Sequence, residues 1–187
     1  MRVISGTARG RRLASIAGRQ IRPTADRVRE ALFSILFSRT GPLAGHKVLD
    51  LFAGSGALGI EALSRGAAHA WFVDSYRDAV GTVRDNLERC GLMPAATIVA
   101  RDVWKALPGL ATAGPFDIIF ADPPYGCEQV AKLLEGIDQH GLLTSEGLLC
   151  LETAASDQVP PRVGTLQLFD QRRYGATMLH LYSKELA

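Results

Sequence analysis

From Lys47 onward the chain alternates short apolar runs with segments whose apolar residues recur at helical spacing. KVLDLFAG, HAWFVD, ATIVARD, FDIIFADPPY and GLLCLET read as strands with their exit turns. Between them, ALGIEALSRG, residues 76–90 and EQVAKLLEGIDQ read as helices, with Gly66 and Gly91 as stops, and VWKALPGLA reads as a short helix or turn. Strand–helix–strand units of this length can close only as parallel pairs with helices packed on the sheet. Two last runs, LQLFDQRRYG and ATMLHLYSK, meet at Tyr174 and Gly175, a connection short enough for an antiparallel hairpin. The expected fold is therefore α/β: a Rossmann-like, doubly wound, mostly parallel sheet with one antiparallel edge strand. Ligands of such sheets bind beyond the carboxyl ends of the strands, near the switch point.

Before Lys47, VISGTARGRRL alternates and turns like a β-hairpin rather than like the amphipathic helix of a transit peptide. RPTADRVREALFSIL reads as a helix, with Thr24 as its cap and Val28, Ala31, Leu32, Ile35 and Leu36 on one face. We expect a hairpin arm over residues 1–23 and one larger domain over 24–187, a division that 187 residues can support.

The net charge of +2 hides an asymmetry. Through Glu30 the arginines Arg2, Arg9, Arg11, Arg12, Arg19, Arg22, Arg27 and Arg29 face only Asp26 and Glu30, and the remainder is slightly acidic. Such an arm either binds nucleic-acid phosphates, with Arg2, Arg9, Arg11, Arg12 and Arg22 as contacts, or is a solvated charged surface. Cys90, Cys127 and Cys150 are odd in number and far apart, so neither a disulfide framework nor a metal ligand set is expected. No apolar run reaches membrane-spanning length. A cytoplasmic protein is expected, and nothing demands a partner chain, so a monomer is too.

The first strand runs into DLFAGSGALG, which contains G-x-G-x-x-G at Gly54, Gly56 and Gly59. Alone this pattern suggests a pyrophosphate at a helix N-terminus. Asp50 opposes that reading, because a carboxylate facing the ligand repels phosphate and favours a cation. S-adenosylmethionine carries an ammonium and a sulfonium and no phosphate. Asp50 can also hold the turn by accepting backbone N–H groups, and the two roles are compatible. Asp74, at the second strand's end, stands where an acid accepts ribose hydroxyls; Asp102, at the third, stands where an acid or the following backbone reads an adenine amine. Each acid taken singly also reads as a loop residue or helix cap. The three together with the glycine turn point to a nucleoside.

ADPPYG closes the fourth apolar run. It is either a stiff turn before a helix or a clamp for an amine. A nucleobase amine is a poor nucleophile, since its lone pair is delocalised into the ring. The Asp122 side chain and the Pro123 carbonyl can accept its two N–H bonds and expose that lone pair, and Tyr125 offers a stacking face. No metal or strong base is needed.

The D-x-F-x-G-x-G turn with D-P-P-Y resembles class I S-adenosylmethionine-dependent methyltransferases that act on exocyclic amines of nucleic-acid bases. More narrowly, RVISGTARGRRL, RPTADRVREALF and LDLFAGSGALGIEALSRGA resemble the RsmD family, whose enzymes methylate N2 of a guanine in bacterial small-subunit ribosomal RNA. The likeness covers nearly the whole chain and thins after about Thr153. It implies donor binding by Asp50, Phe52, Gly54, Gly56, Asp74, Ser75, Asp102 and Val103. It implies amine binding and catalysis by Asp122, Pro123, Pro124 and Tyr125, and 16S rRNA in the 30S subunit or an assembly intermediate as partner. Asp122 is also shared with adenine-N6 enzymes, so an adenine-N6 methyltransferase of DNA or RNA is the alternative. A nicotinamide oxidoreductase and a nonenzymatic RNA-binding module are the readings from other classes.

Overall fold

The structure, a computed structural model, describes residues 1–16, 26–123 and 127–184. Pro23, Thr24, Arg22, Pro124 and Tyr125 lie outside them, and so do the expectations placed on those residues. After the N-terminal segment come α1 (Asp26–Thr40), β1 (Lys47–Leu51), α2 (Ala57–Ser64), β2 (His69–Asp74) and α3 (Arg77–Cys90). Then follow β3 (Ala96–Ala100), α4 (Val103–Leu110), β4 (Phe116–Ala121), α5 (Cys127–Gln139) and β5 (Leu143–Ala154). The strands β6 (Arg162–Val163), β7 (Leu166–Tyr174) and β8 (Thr177–Lys184) complete the described chain.

All eight strands join one sheet in the order β3-β2-β1-β4-β5-β8-β7-β6. The first five pair in parallel, and β8 pairs antiparallel with both β5 and β7. The expected antiparallel edge is present but is built differently in detail. It comprises three strands, and β8, the return strand of the terminal hairpin, is inserted between β5 and β7. The hairpin turns through Gly175 and Ala176, with Tyr174 opposite Thr177 and Gly175 at φ 63°, a conformation glycine adopts without steric penalty.

Period-two alternation splits the core into two layers. Val48, Phe72, Ile118, Phe120, Leu148 and Cys150 face one side, where α1, α2, α3 and the N-terminal segment pack. Leu49, Leu51, Val73, Ile119, Ala121, Leu149 and Leu151 face the other, covered by α4 and α5. The same alternation aims every second residue at the strand ends toward the first layer. Asp50, Asp74, Asp122 and Glu152 all fall on that side.

The N-terminal segment forms one antiparallel bridge, Arg2 to Arg12, with Val3 and Arg11 bonded through the backbone at 3.0 Å. It docks on the domain through apolar residues, since Val3, Ala8, Leu13 and Ile16 are buried. Two buried charges fix it there. Glu61 on α2 accepts the backbone N–H groups of Ile4 and Ser5 at 2.8 and 3.0 Å and pairs with Arg65 at 2.8 Å. Arg29 on α1 donates to the carbonyl of Arg2 and pairs with Asp26 at 3.1 Å. Gly6 packs so closely on α2 that a Cβ there would lie 1.7 Å from the Ser64 carbonyl oxygen.

Candidate active site

β1 ends in a tight turn that only small residues and one strained aromatic can make. Phe52 has φ 59°, a left-handed backbone that a bulky side chain rarely tolerates, while Gly54 and Gly56 have φ 57° and 75°. No side chain caps α2 at Gly56. A Cβ on Gly59 would sit 2.3 Å from the Phe72 ring, so the third glycine serves close helix–sheet packing. At Gly54 the added Cβ would meet little, its nearest contact being the Phe52 carbonyl oxygen at 3.9 Å, so this backbone is open to a ligand.

Asp50 lies beneath the turn, 3% exposed, and accepts the Gly59 N–H at 2.9 Å. Burial pushes its carboxyl up to about 8. The Gly59 bond opposes the rise, and the negative charges of Asp74 and Asp122 add to it. Asp74 is half-buried and accepts from Gly54 N–H at 3.0 Å and Tyr76 N–H at 2.9 Å, one bond on each oxygen. Each oxygen keeps a lone-pair direction for a hydroxyl. Ser75 beside it is exposed. Asp102 caps α4 by accepting from Lys105 N–H at 3.3 Å. The Val103 side chain is buried in the second core layer, so only its backbone can meet a ligand. The Phe52 ring packs edge-on against Trp104 at 6.2 Å, next to that end of the sheet.

Asp122 follows β4. It is open to water on its outer side, with Pro123 buried next to it. Protein packed behind it pushes the carboxyl up to about 7, with the charge of Glu152 as the second cause. Solvent on the outer side moderates that push, and the outer side is the one a substrate amine would approach. Glu152, two residues before the end of β5, is a neighbour of Asp122 that the strand pattern did not single out. The acid-at-strand-end rule that found Asp50 and Asp74 applies to GLLCLET equally.

Of the arginines expected to contact RNA, Arg2, Arg9, Arg11 and Arg12 are exposed, alternating with the buried Val3, Ala8 and Leu13. A cavity of about 330 Å³ runs along this segment, and Asp26 and Glu30 line it together with Arg2 and Arg9. An adjoining pocket is lined by Arg2, Arg12 and Asp26, so Arg2, Arg9 and Arg12 share their pockets with acids, whereas Arg11 lines neither. The segment leads toward the glycine turn. Buried Asn86 on α3 accepts from Ala14 N–H at 2.7 Å and donates to the carbonyls of Ala14 at 3.1 Å and Ser55 at 2.9 Å. Asn86→Ala leaves these backbone groups without a partner, and we expect a loss of about 2–3 kcal/mol in urea unfolding. Weaker donor affinity by calorimetry should accompany it, because the turn loses its brace.

Residues 1–183 match the family model described as conserved hypothetical protein 95. Ribosomal RNA small subunit methyltransferase D of Escherichia coli (strain K12) is 33% identical across 99% of this chain and 90% of its own length. The chain belongs to the RsmD family. YlbH of Bacillus subtilis (strain 168), provisionally named an rRNA methyltransferase, is 41% identical over 98% of this chain and 99% of its own. Among solved structures, a hypothetical protein of Thermus thermophilus superimposes with a TM-score of 0.83 at 34% identity, covering 98% of this chain and 99% of that one. The docked N-terminal segment and the β8 insertion thus lie within the span that the RsmD family model and this structure share. No helix among the described residues is long and apolar enough to cross a membrane.

Proposed function

We propose that this RsmD-family chain transfers a methyl group from S-adenosylmethionine to N2 of a guanine in 16S rRNA. It does so as a cytoplasmic monomer acting on the 30S subunit or an assembly intermediate. The observation that carries the reading is a run of carboxylates on one face of the sheet, Asp74, Asp50 and Asp122 at the ends of neighbouring strands β2, β1 and β4. A buried acid whose own neighbours are negative is a site that a cation relieves. When bound, the donor supplies an electrophilic methyl group on a sulfonium.

The residues divide the work by position. The backbone of the Gly54 to Gly56 turn cradles the donor, with Asp50 beneath its positive charge. Asp74 accepts the ribose hydroxyls with its remaining lone pairs, and Asp102 with the Val103 N–H reads the adenine. Asp122 and the Pro123 carbonyl accept the two N2 hydrogens of an extruded guanine and turn its lone pair toward the methyl. Nitrogen gains the methyl while the carbon–sulfur bond breaks, leaving a neutral thioether. The proton that the nitrogen must then shed passes to Asp122 or to water. Pro124 and Tyr125 complete this clamp on the family pattern, Tyr125 by stacking on the base.

Purified protein incubated with labelled S-adenosylmethionine and 30S subunits from a strain lacking the enzyme, beside naked rRNA and duplex DNA, tests the reading. Label recovered as N2-methylguanine in the 30S or its rRNA is the expected result. N6-methyladenine, or label in DNA alone, overturns the guanine and RNA assignments. For the arm, Arg11→Ala and Arg12→Ala should each weaken RNA binding at every sequence and lower the slope of log affinity against log salt by about one. An unchanged slope removes the arm from the interface.

A further inference from the structure

β4 and β5 pair in parallel with Phe120 opposite Cys150 and Ala121 opposite Leu151. The next step of that register sets Asp122 beside Glu152, on strands about 4.8 Å apart. Phe120 and Cys150 both face the first core layer, so two residues further on Asp122 and Glu152 face the same side. Glu152 is held firmly from behind, because its backbone is also in register with Leu179 of β8. The negative charge of Glu152 is felt at Asp122, as expected of neighbours.

The sheet order then gives Glu152 a direction. Donor-side acids Asp50 and Asp74 lie on β1 and β2, on one flank of β4; Glu152 lies on the other flank. An amine held at Asp122 must point its lone pair toward the donor; its C–N bond stands at a roughly tetrahedral angle to that lone pair, so the ring leans away from the donor, toward β5. On that ring the atom adjoining the aminated carbon tells the purines apart. In guanine N1 carries a hydrogen, whereas in adenine N1 is a bare lone pair. A carboxylate accepts from the first and repels the second.

We propose that Glu152 selects the base, accepting the guanine N1–H while Asp122 and Pro123 hold N2. This rests on the functional reading above and supplies what Asp122, common to guanine and adenine enzymes, leaves open. Sites built around a substrate hydrogen reject analogues that lack it far more strongly than apolar pockets discriminate.

The test uses 30S subunits assembled on 16S rRNA carrying either guanosine or 2-aminopurine at the methylated position. 2-Aminopurine keeps the amine but has no hydrogen on N1. Wild-type protein should prefer guanosine by about 10²-fold or more in kcat/KM. Glu152→Gln presents an amide N–H to the bare N1. We expect the preference to fall at least about 10-fold, with 2-aminopurine methylated faster than by wild type. Donor affinity should stay within a factor of a few. Equal losses on both substrates, with the preference intact, overturn the proposal and leave Glu152 a structural acid. Should Glu152→Gln fail to fold, Glu152→Asp replaces it; its shorter reach should lower guanosine methylation and spare 2-aminopurine, and equal effects again overturn the proposal. If wild type methylates no guanosine at all, the functional reading has failed first, and the selection proposed for Glu152 falls with it.

Discussion

Replacing Asp122 with alanine is expected to lower the methyl-transfer rate about 10³-fold, the upper end of what one lost preorganised polar contact at a reacting centre removes. Donor affinity should stay within a factor of a few. The division follows from position: Asp50 and Asp74 lie on β1 and β2, the strands to which the proposed function assigns the donor, whereas Asp122 lies beyond β4 with its outer side open. The acceptor must be ionised, because a protonated Asp122 turns an O–H donor toward the amine that it should receive. Its carboxyl, pushed up to about 7, therefore gives wild type a rate that climbs with pH through neutrality and levels off above about 8. A bound sulfonium draws that carboxyl down, so the limb should lie lower in kcat than in kcat/KM. Asp122→Asn keeps an acceptor oxygen but has nothing to titrate; its rate should be reduced less than that of the alanine variant and should lack the limb. Single-turnover rates across pH, with donor affinity from calorimetry, decide the matter. An alanine variant within threefold of wild type would remove Asp122 from the chemistry.

The parts of this site that local pattern reveals are those that a strand and its next turn determine together. Asp50, Asp74 and Asp122 each close an apolar run and precede a turn, so period two and the glycines suffice to place them. Glu152 closes the apolar run GLLCLET and falls under the same rule, but its place beside Asp122 appears only once β5 is in register with β4. Contacts between distant residues were equally invisible. Asn86 bonds Ala14 across 72 positions, and Glu61 bonds Ile4 across 57; no window of sequence contains either pair. They make the basic segment a docked layer whose far end leads to the glycine turn. The terminal hairpin was readable from its two-residue loop, but the choice of β8 as the strand that meets β5 depends on non-local pairing. Helix α1 runs on to Thr40, past the Leu36 at which its apolar repeat fades, and gives way at Gly41 with φ 71°.

Asp50→Asn should make the unliganded protein more stable and at the same time unable to hold the methyl donor well. A carboxyl that titrates near 8 in the fold and near 4 when unfolded binds more protons in the native state across that interval. Stability from this group is therefore complete below about pH 4 and is lost as pH rises through about 8. At pH 8 the penalty reaches about 5 kcal/mol, which corresponds to about 10–20 °C in melting temperature for a chain of this length. Asparagine has no such penalty. Its carbonyl can keep the Gly59 N–H, now accepted at 2.9 Å, and its new N–H groups have Asp74 and Asp122 nearby as acceptors. The melting temperature of the variant should accordingly exceed that of wild type by a margin that grows from pH 5 to pH 8 and then stops growing. Donor affinity should fall about 10²-fold, as for the loss of one partner of a buried charge pair. Affinity for the thioether product should fall less, because its sulfur is uncharged. Melting curves and calorimetry at both pH values separate the two roles of Asp50. A stabilised variant that still prefers the sulfonium over the thioether would make it a turn-holding residue alone, and the charge that attracts the donor would then belong to Asp74 and Asp122.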